Sequence, residues 1–198
     1  MDTNLFRWIN RLANRTGWAH SFLTTYANYG IVLFAALLIV TYLDGRQRGD
    51  LRAVAVSVWA GGAALIALGL GQLIGGTIDR ARPYEAMSGV HLLIDRTTDF
   101  SFPSDHATAV GAVAVGLLFA NKRWGTIGAV LAVAMALTRV YVGAHYPSDV
   151  LVGLALGAFV AAGGVYVAVP QFNRAAAWID RTAVRALVSC EPRATDEV

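Results

Sequence analysis

The chain has 198 residues, 56% of them hydrophobic and only 15% charged, and its mean hydropathy is +0.52, which excludes an ordinary soluble domain. The apolar runs have the length of membrane spans and not of the short core of a cleavable leader. A net charge of +3 without a basic tract speaks against nucleic acid as a partner, and the single Cys190 supplies neither an internal disulfide nor a cysteine-based metal site.

Residues 1–18 are too polar to span. Leu5, Trp8, Ile9 and Leu12 share one helical face, and Arg7, Arg11 and Arg15 form a stripe at four-residue spacing, so the segment is expected to lie in the interface as an amphipathic helix. Spans follow at about 21–43 and 51–78, separated by a short loop holding Arg46 and Arg48. Gly71 and Gly75, at GxxxG spacing in the second span, read as helix packing. The polar stretch 79–104 is long enough to be functional. Further spans are expected at 104–120, 126–143 and from Pro147 or Ser148 to 169, with Pro170 closing the membrane region. The tail, 171–198, begins amphipathic, with Phe172, Ile179, Ala183 and Leu187 set against Arg174, Arg181 and Arg185; it then becomes polar and is expected to be disordered. This predicts one all-α domain over 1–198, a polytopic bundle of five to six transmembrane helices.

Charged groups near hydrocarbon cost about 2.5–3.5 kcal/mol each on insertion scales, so they need a reason. Three clusters carry them: 79–84 with Arg80 and Arg82, 102–106 with Ser104, Asp105 and His106, and 138–149 with Arg139, His145 and Asp149. Each lies at a span end, and five spans put all of these ends on one face, where distant residues converge. Ser104 and Asp105 start a helix, whose free N–H groups and dipole favour an anion, and Arg82 and Arg139 add planar donors suited to phosphate oxygens. His106 and His145 can supply the nucleophile and the proton donor that phosphoryl transfer needs. Asp149, four residues after His145, can reach back and fix its tautomer. No carboxylate cage or Cys/His cluster is visible, so no metal is required and no cofactor is expected. His20, His91, Glu85, Asp95 and Asp99 read as structural or solvated residues.

Arg82-Pro83, Pro103-Ser104-Asp105-His106, and Thr138-Arg139 followed by His145 and Asp149 resemble the three motifs of the type 2 phosphatidic acid phosphatase (PAP2) superfamily of membrane lipid phosphatases. Within it the chain looks most similar to the bacterial undecaprenyl-diphosphatases of the bacitracin-resistance type. The resemblance implies His145 as nucleophile forming a phosphohistidine, Asp149 orienting it, His106 protonating the leaving group, and Arg82, Arg139 and Ser104 holding phosphate. The implied substrate is a polyprenyl diphosphate; the alternatives are phosphatidic acid or phosphatidylglycerol phosphate, or a non-catalytic lipid-phosphate binder.

Three departures stand out. Thr138 replaces the motif serine. Asp105 replaces glycine and sets a negative charge at the anion site, for Arg80 or Arg139 to offset. Gly75 stands where the family has a lysine, and Arg80 is the nearest residue to replace that phosphate contact. Arg46, Arg48, Arg52, Lys122, Arg123 and the tail arginines fall on one side, which the positive-inside rule makes cytoplasmic, so the clusters are expected to face outward from a bacterial inner membrane. Arg7, Arg11 and Arg15 run against that assignment unless the N-terminal segment is partly inserted.

Overall fold

A computed structural model describes residues 1–167, 169–182 and 184–187, and among these there is no strand. The helices are α1 (Asp2–Ala13), α2 (His20–Tyr29), α3 (Ile31–Gln47), α4 (Leu51–Ile78), α5 (Pro83–Ala86), α6 (Asp105–Ala120), α7 (Lys122–Tyr141), α8 (Pro147–Val167) and α9 (Val169–Asp180). Helices α4, α7 and α8 are long and apolar enough to cross a membrane. Helices α2 and α3 satisfy the same test together but meet at a 57° bend, and α6 is apolar with only 16 residues. The chain is therefore a multi-pass membrane protein.

Helix ends follow local chemistry. The Asp50 carboxylate accepts from Ala53 N–H at 2.9 Å and starts α4, and Asn121 Oδ1 accepts from Arg123 N–H at 2.9 Å and starts α7. Pro83 and Pro147 occupy first helical positions, where the missing N–H is not needed. Asp79, left-handed at φ 49°, ends α4.

Helix α6 is the hub, packed by α4, α7 and α8. Its contact with α8 is close because glycines face backbone: a Cβ on Gly157 would overlap the Thr108 carbonyl oxygen, and one on Gly111 would lie 2.7 Å from that of Leu154. The apolar core joins Phe34, Leu37, Val110, Val113, Leu117 and Met135 across the bundle. Gly71 and Gly75 do serve packing, against Pro103 and against Phe100 and the Phe102 carbonyl.

One expectation changes and two segments gain detail. The first span is two segments, α2 and α3, which meet at Gly30, where a Cβ would lie 2.5–2.7 Å from Tyr26 and Met135. Pro170, expected to close the membrane region, stands in the first turn of α9, where proline is tolerated, and the Phe172 ring of that helix lies 6.5 Å from the Trp59 ring. Helix α1 presents Phe6, Asn10 and Ala13 to the protein, while Leu5, Trp8 and Leu12 stay exposed. The polar end of the tail and Ala183 lie outside the described residues.

Candidate active site

The first helix end at the site is that of α7. Beyond Tyr141, Gly143 takes φ 84° and turns the chain, so that residues 144–146 cross to α8 and carry His145 inward. Its ring is only 2% exposed. Nδ1 lies 2.7 Å from the Ser101 carbonyl oxygen, which can only accept, so Nδ1 bears the proton and Nε2 the lone pair. Burial, then the positive charges of Arg139 and Arg82, hold this imidazole well below its ordinary pKa, outweighing the Ser101 hydrogen bond. The ring is neutral at neutral pH.

Arg82 reaches the other side of the ring, with Nη1 at 3.2 Å from Nε2 and also donating to the Ala144 carbonyl at 3.2 Å. Its Nη2 pairs with Asp99 Oδ1 at 2.9 Å and its Nε donates to the Asp99 carbonyl. Asp99 is exposed on its loop, as expected of a solvated residue, and is at the same time the carboxylate partner of Arg82. Burial pushes its carboxyl up, but the Thr97 hydrogen bond and the Arg82 charge prevail and hold it below the usual carboxylate range.

Two buried donors at this site have no hydrogen-bond partner among the described residues: Ser104 Oγ and Arg139 Nε. Ser104 occupies the N-cap of α6, yet its hydroxyl makes no cap bond, while its N–H donates to the Asp149 carbonyl at 3.1 Å. Leaving such a group unpaired costs about 1–3 kcal/mol. Arg139, 5% exposed, spends Nη1 on the Ala27 carbonyl at 3.3 Å. His106 lies in the first turn of α6 and is half-buried. Such a set offers donors suited to an anion beside a neutral imidazole nitrogen.

Asp149 and Arg80 stand elsewhere than expected. Asp149 Oδ2 is 3.9 Å from His145 Nδ1, too far for a hydrogen bond, and instead accepts from Ser101 Oγ at 2.6 Å and Tyr146 N–H at 2.9 Å. Its influence on the ring passes through Ser101, which holds Asp149 with its hydroxyl and His145 with its carbonyl. Arg80 donates from Nη1 to Asp149 Oδ1 at 2.5 Å and to Ser148 Oγ at 2.7 Å, and from Nη2 to Asp2 Oδ2 at 2.7 Å. It therefore lies on the Asp149 side of His145, away from the Nε2 face where Arg82 stands. Asp105 Oδ2 accepts from Gln72 Nε2 at 2.8 Å. Gly75 has no room for the family lysine, because its Cβ would approach the Phe102 carbonyl oxygen to 2.9 Å and Phe100 to 3.1 Å.

A family model described as the PAP2 superfamily matches residues 56–174. The chain belongs to the PAP2 superfamily. The match runs from α4 into α9 and encloses every residue named in this cluster except Asp2 and Ala27. Undecaprenyl-diphosphatase BcrC of Bacillus subtilis is 29% identical over 160 residues, covering 81% of this chain and 80% of that protein. The crystal structure of Aquifex aeolicus LpxE has the same fold, with a TM-score of 0.64, 24% identity, and coverage of 83% of this chain and 94% of that one. So does the PAP2-type phosphatidylglycerolphosphate phosphatase of Bacillus subtilis, with a TM-score of 0.62, 20% identity, and coverage of 88% and 85%. This PAP2 protein is a membrane phosphatase, a hydrolase acting on phosphate esters.

Ser101, Asp99 and Asp2 are the members of the PAP2 cluster that sequence reasoning did not find. Ser101 precedes Pro103-Ser104 by two residues, a faint positional signal. Asp2 and Arg80 are 78 residues apart and share no motif.

Proposed function

We propose that this PAP2 phosphatase removes the terminal phosphate of a polyprenyl diphosphate, of the undecaprenyl diphosphate kind, through a phosphohistidine at His145. The observation that carries this reading is a neutral, Nδ1-protonated His145 whose Nε2 faces Arg82, in a cluster where Ser104 Oγ and Arg139 Nε are buried donors without partners. The relative BcrC, matched over most of both chains, supports the substrate class.

In this mechanism His145 Nε2 attacks the terminal phosphorus and the bond to the bridging oxygen breaks. His106 protonates that oxygen, which leaves on the lipid monophosphate. His106 then takes a proton from water, whose oxygen attacks the phosphohistidine, and inorganic phosphate departs with the lone pair restored to Nε2. Arg82, Arg139, Ser104 and the N-terminus of α6 meet the phosphate charge, so the reaction proceeds without a metal. Asp105 shapes the same first turn through Gln72. The site faces away from the cytoplasm of a bacterial inner membrane: Arg46, Arg48, Arg52, Lys122 and Arg123 gather at the other end of the bundle.

The test is a substrate panel with purified protein in detergent: a polyprenyl diphosphate, phosphatidic acid and phosphatidylglycerol phosphate. The diphosphate should turn over fastest, quenched reactions should yield acid-labile, base-stable phosphate on the protein, and His145→Gln should abolish both signals. His106→Gln should slow turnover by about 10²- to 10⁴-fold. Preference for a glycerophospholipid would move the substrate assignment, and near-normal turnover in His145→Gln would overturn the mechanism.

A further inference from the structure

We propose that Asp2, on the N-terminal helix α1, is a positioning residue for the hydrolysis, acting on His145 through Arg80, Ser148, Asp149 and Ser101. The inference rests on His145 being the nucleophile. It begins with Asp149, which is fully buried and makes its one short cationic contact with Arg80 rather than with the imidazole. A buried carboxylate stays put only while its counter-charge does.

Arg80 is a long side chain, 29% exposed, on the loop between α4 and α5. Asp2 supplies the hold. Its Oδ2 accepts from Arg80 Nη2 at 2.7 Å and from Ser148 Oγ at 2.6 Å, while its Oδ1 accepts from Ser148 N–H at 3.0 Å. Because Arg80 also donates to Ser148 Oγ, the three residues close a ring against Asp149, and Arg80 is stacked on the Tyr146 ring at 3.9 Å. Ser148 N–H belongs to the first turn of α8, so Asp2 also places negative charge at the positive end of that helix.

From this ring the path to the nucleophile is short. Asp149 fixes the Ser101 hydroxyl at 2.6 Å, and the Ser101 carbonyl fixes Nδ1 at 2.7 Å. With the Asp2 charge gone, Arg80 keeps one carboxylate partner instead of two and Asp149 loses the clamp that centres it. The effect belongs to the aim of Nε2, not to lipid binding. Docking of α1 does not depend on Asp2 alone: Phe6 packs on Tyr146 with centroids 5.6 Å apart, and Asn10 bonds the His91 and Tyr141 carbonyls.

The experiment compares Asp2→Asn, Asp2→Glu and Asn10→Ala in the full-length protein, measuring phosphate release from a polyprenyl diphosphate together with melting temperature in detergent. Asp2→Asn should lower kcat on the order of tenfold with KM within about twofold, short of the roughly hundredfold that a displacement of about 1 Å can cause. Asp2→Glu should recover most of the loss, and Asp2→Asn should add little on top of Arg80→Gln. Asn10→Ala loosens α1 without touching the ring and should leave kcat within about twofold. The proposal falls if Asp2→Asn retains wild-type kcat, if only KM moves, or if Asn10→Ala lowers kcat as far, which would reduce Asp2 to a docking contact. His145→Gln separates the two levels: residual turnover there sinks the phosphohistidine reading whatever Asp2 does.

Discussion

A histidine enclosed by two arginines remains in a folded protein only as the uncharged base, and His145 shows what that requires: a carbonyl for its single proton and a guanidinium beside its lone pair. The same enclosure makes stability depend on pH. The unfolded chain takes up a proton at this ring near pH ~6.5, whereas the folded one does so only at lower pH, so this contribution is intact above ~6.5 and is lost as pH falls toward the folded value. Melting temperature should therefore drop more steeply between pH 7.5 and 5.5 in the wild type than in His145→Gln; equal slopes would place an ordinary, solvated imidazole at 145. At this scale the sequence is most legible where a polar side chain is conspicuous in apolar surroundings, as with Arg82, His106, Arg139, His145 and Asp149. Ser101 escapes notice because it presents a backbone carbonyl, which every residue has. The role expected of Arg80 shifts because Asp2, its partner, stands on a helix read only for lipid contact.

Among the elements, the pairing of α6 with α8 and the seat of the 100–104 segment on α4 both depend on missing side chains. Gly75 tests the second. A methyl there would press on the Phe102 carbonyl at 2.9 Å, and that segment carries Ser101 and Ser104. Gly75→Ala should cost about 1–3 kcal/mol of stability and lower activity, while Gly76→Ala, whose Cβ meets only the Phe100 ring at 3.8–3.9 Å, should stay within about 0.5 kcal/mol. Equal behaviour would mean that the segment yields freely. By the same geometry Gly75→Lys would not restore a family cation; it would push the loop off α4. The long helices are readable because a hydrophobic run of span length rarely arises except to lie in lipid, and the 51–78 span agrees with α4 at both ends. The α2–α3 bend is not: it falls at Gly30, where a Cβ would meet Tyr26 of α2 and, from across the bundle, Met135 of α7. Nor is the protein-facing stripe of α1, where Asp2 and Asn10 make a polar seam with no hydrophobic period to reveal it.

For the molecule as a whole, the proposed sidedness rests on where charge collects. Ser88 is exposed on the loop that joins α5 to α6, at the catalytic end. In a Cys190→Ser background, Ser88→Cys should react with an impermeant thiol reagent on intact cells; reaction only after lysis would place the cluster in the cytoplasm. Composition and loop charge make this scale partly legible, whereas the coupling of residue 2 to residues 80 and 148 depends on the assembled bundle. The brevity of α6 has a consequence of another kind. Sixteen residues make a helix of about 24 Å, against roughly 30 Å of hydrocarbon, and this is the helix whose first turn carries Ser104, Asp105 and His106. Such a mismatch is met by local thinning of the bilayer or by a site set below the headgroup plane, and under the proposed mechanism a lipid phosphate would then descend to meet His145 instead of being lifted out. On that mechanism membrane thickness is a substrate-presentation variable: acyl chains long enough to resist local thinning would hold the phosphate above His145, and turnover would follow the mechanics of the host bilayer as much as the chemistry of the headgroup.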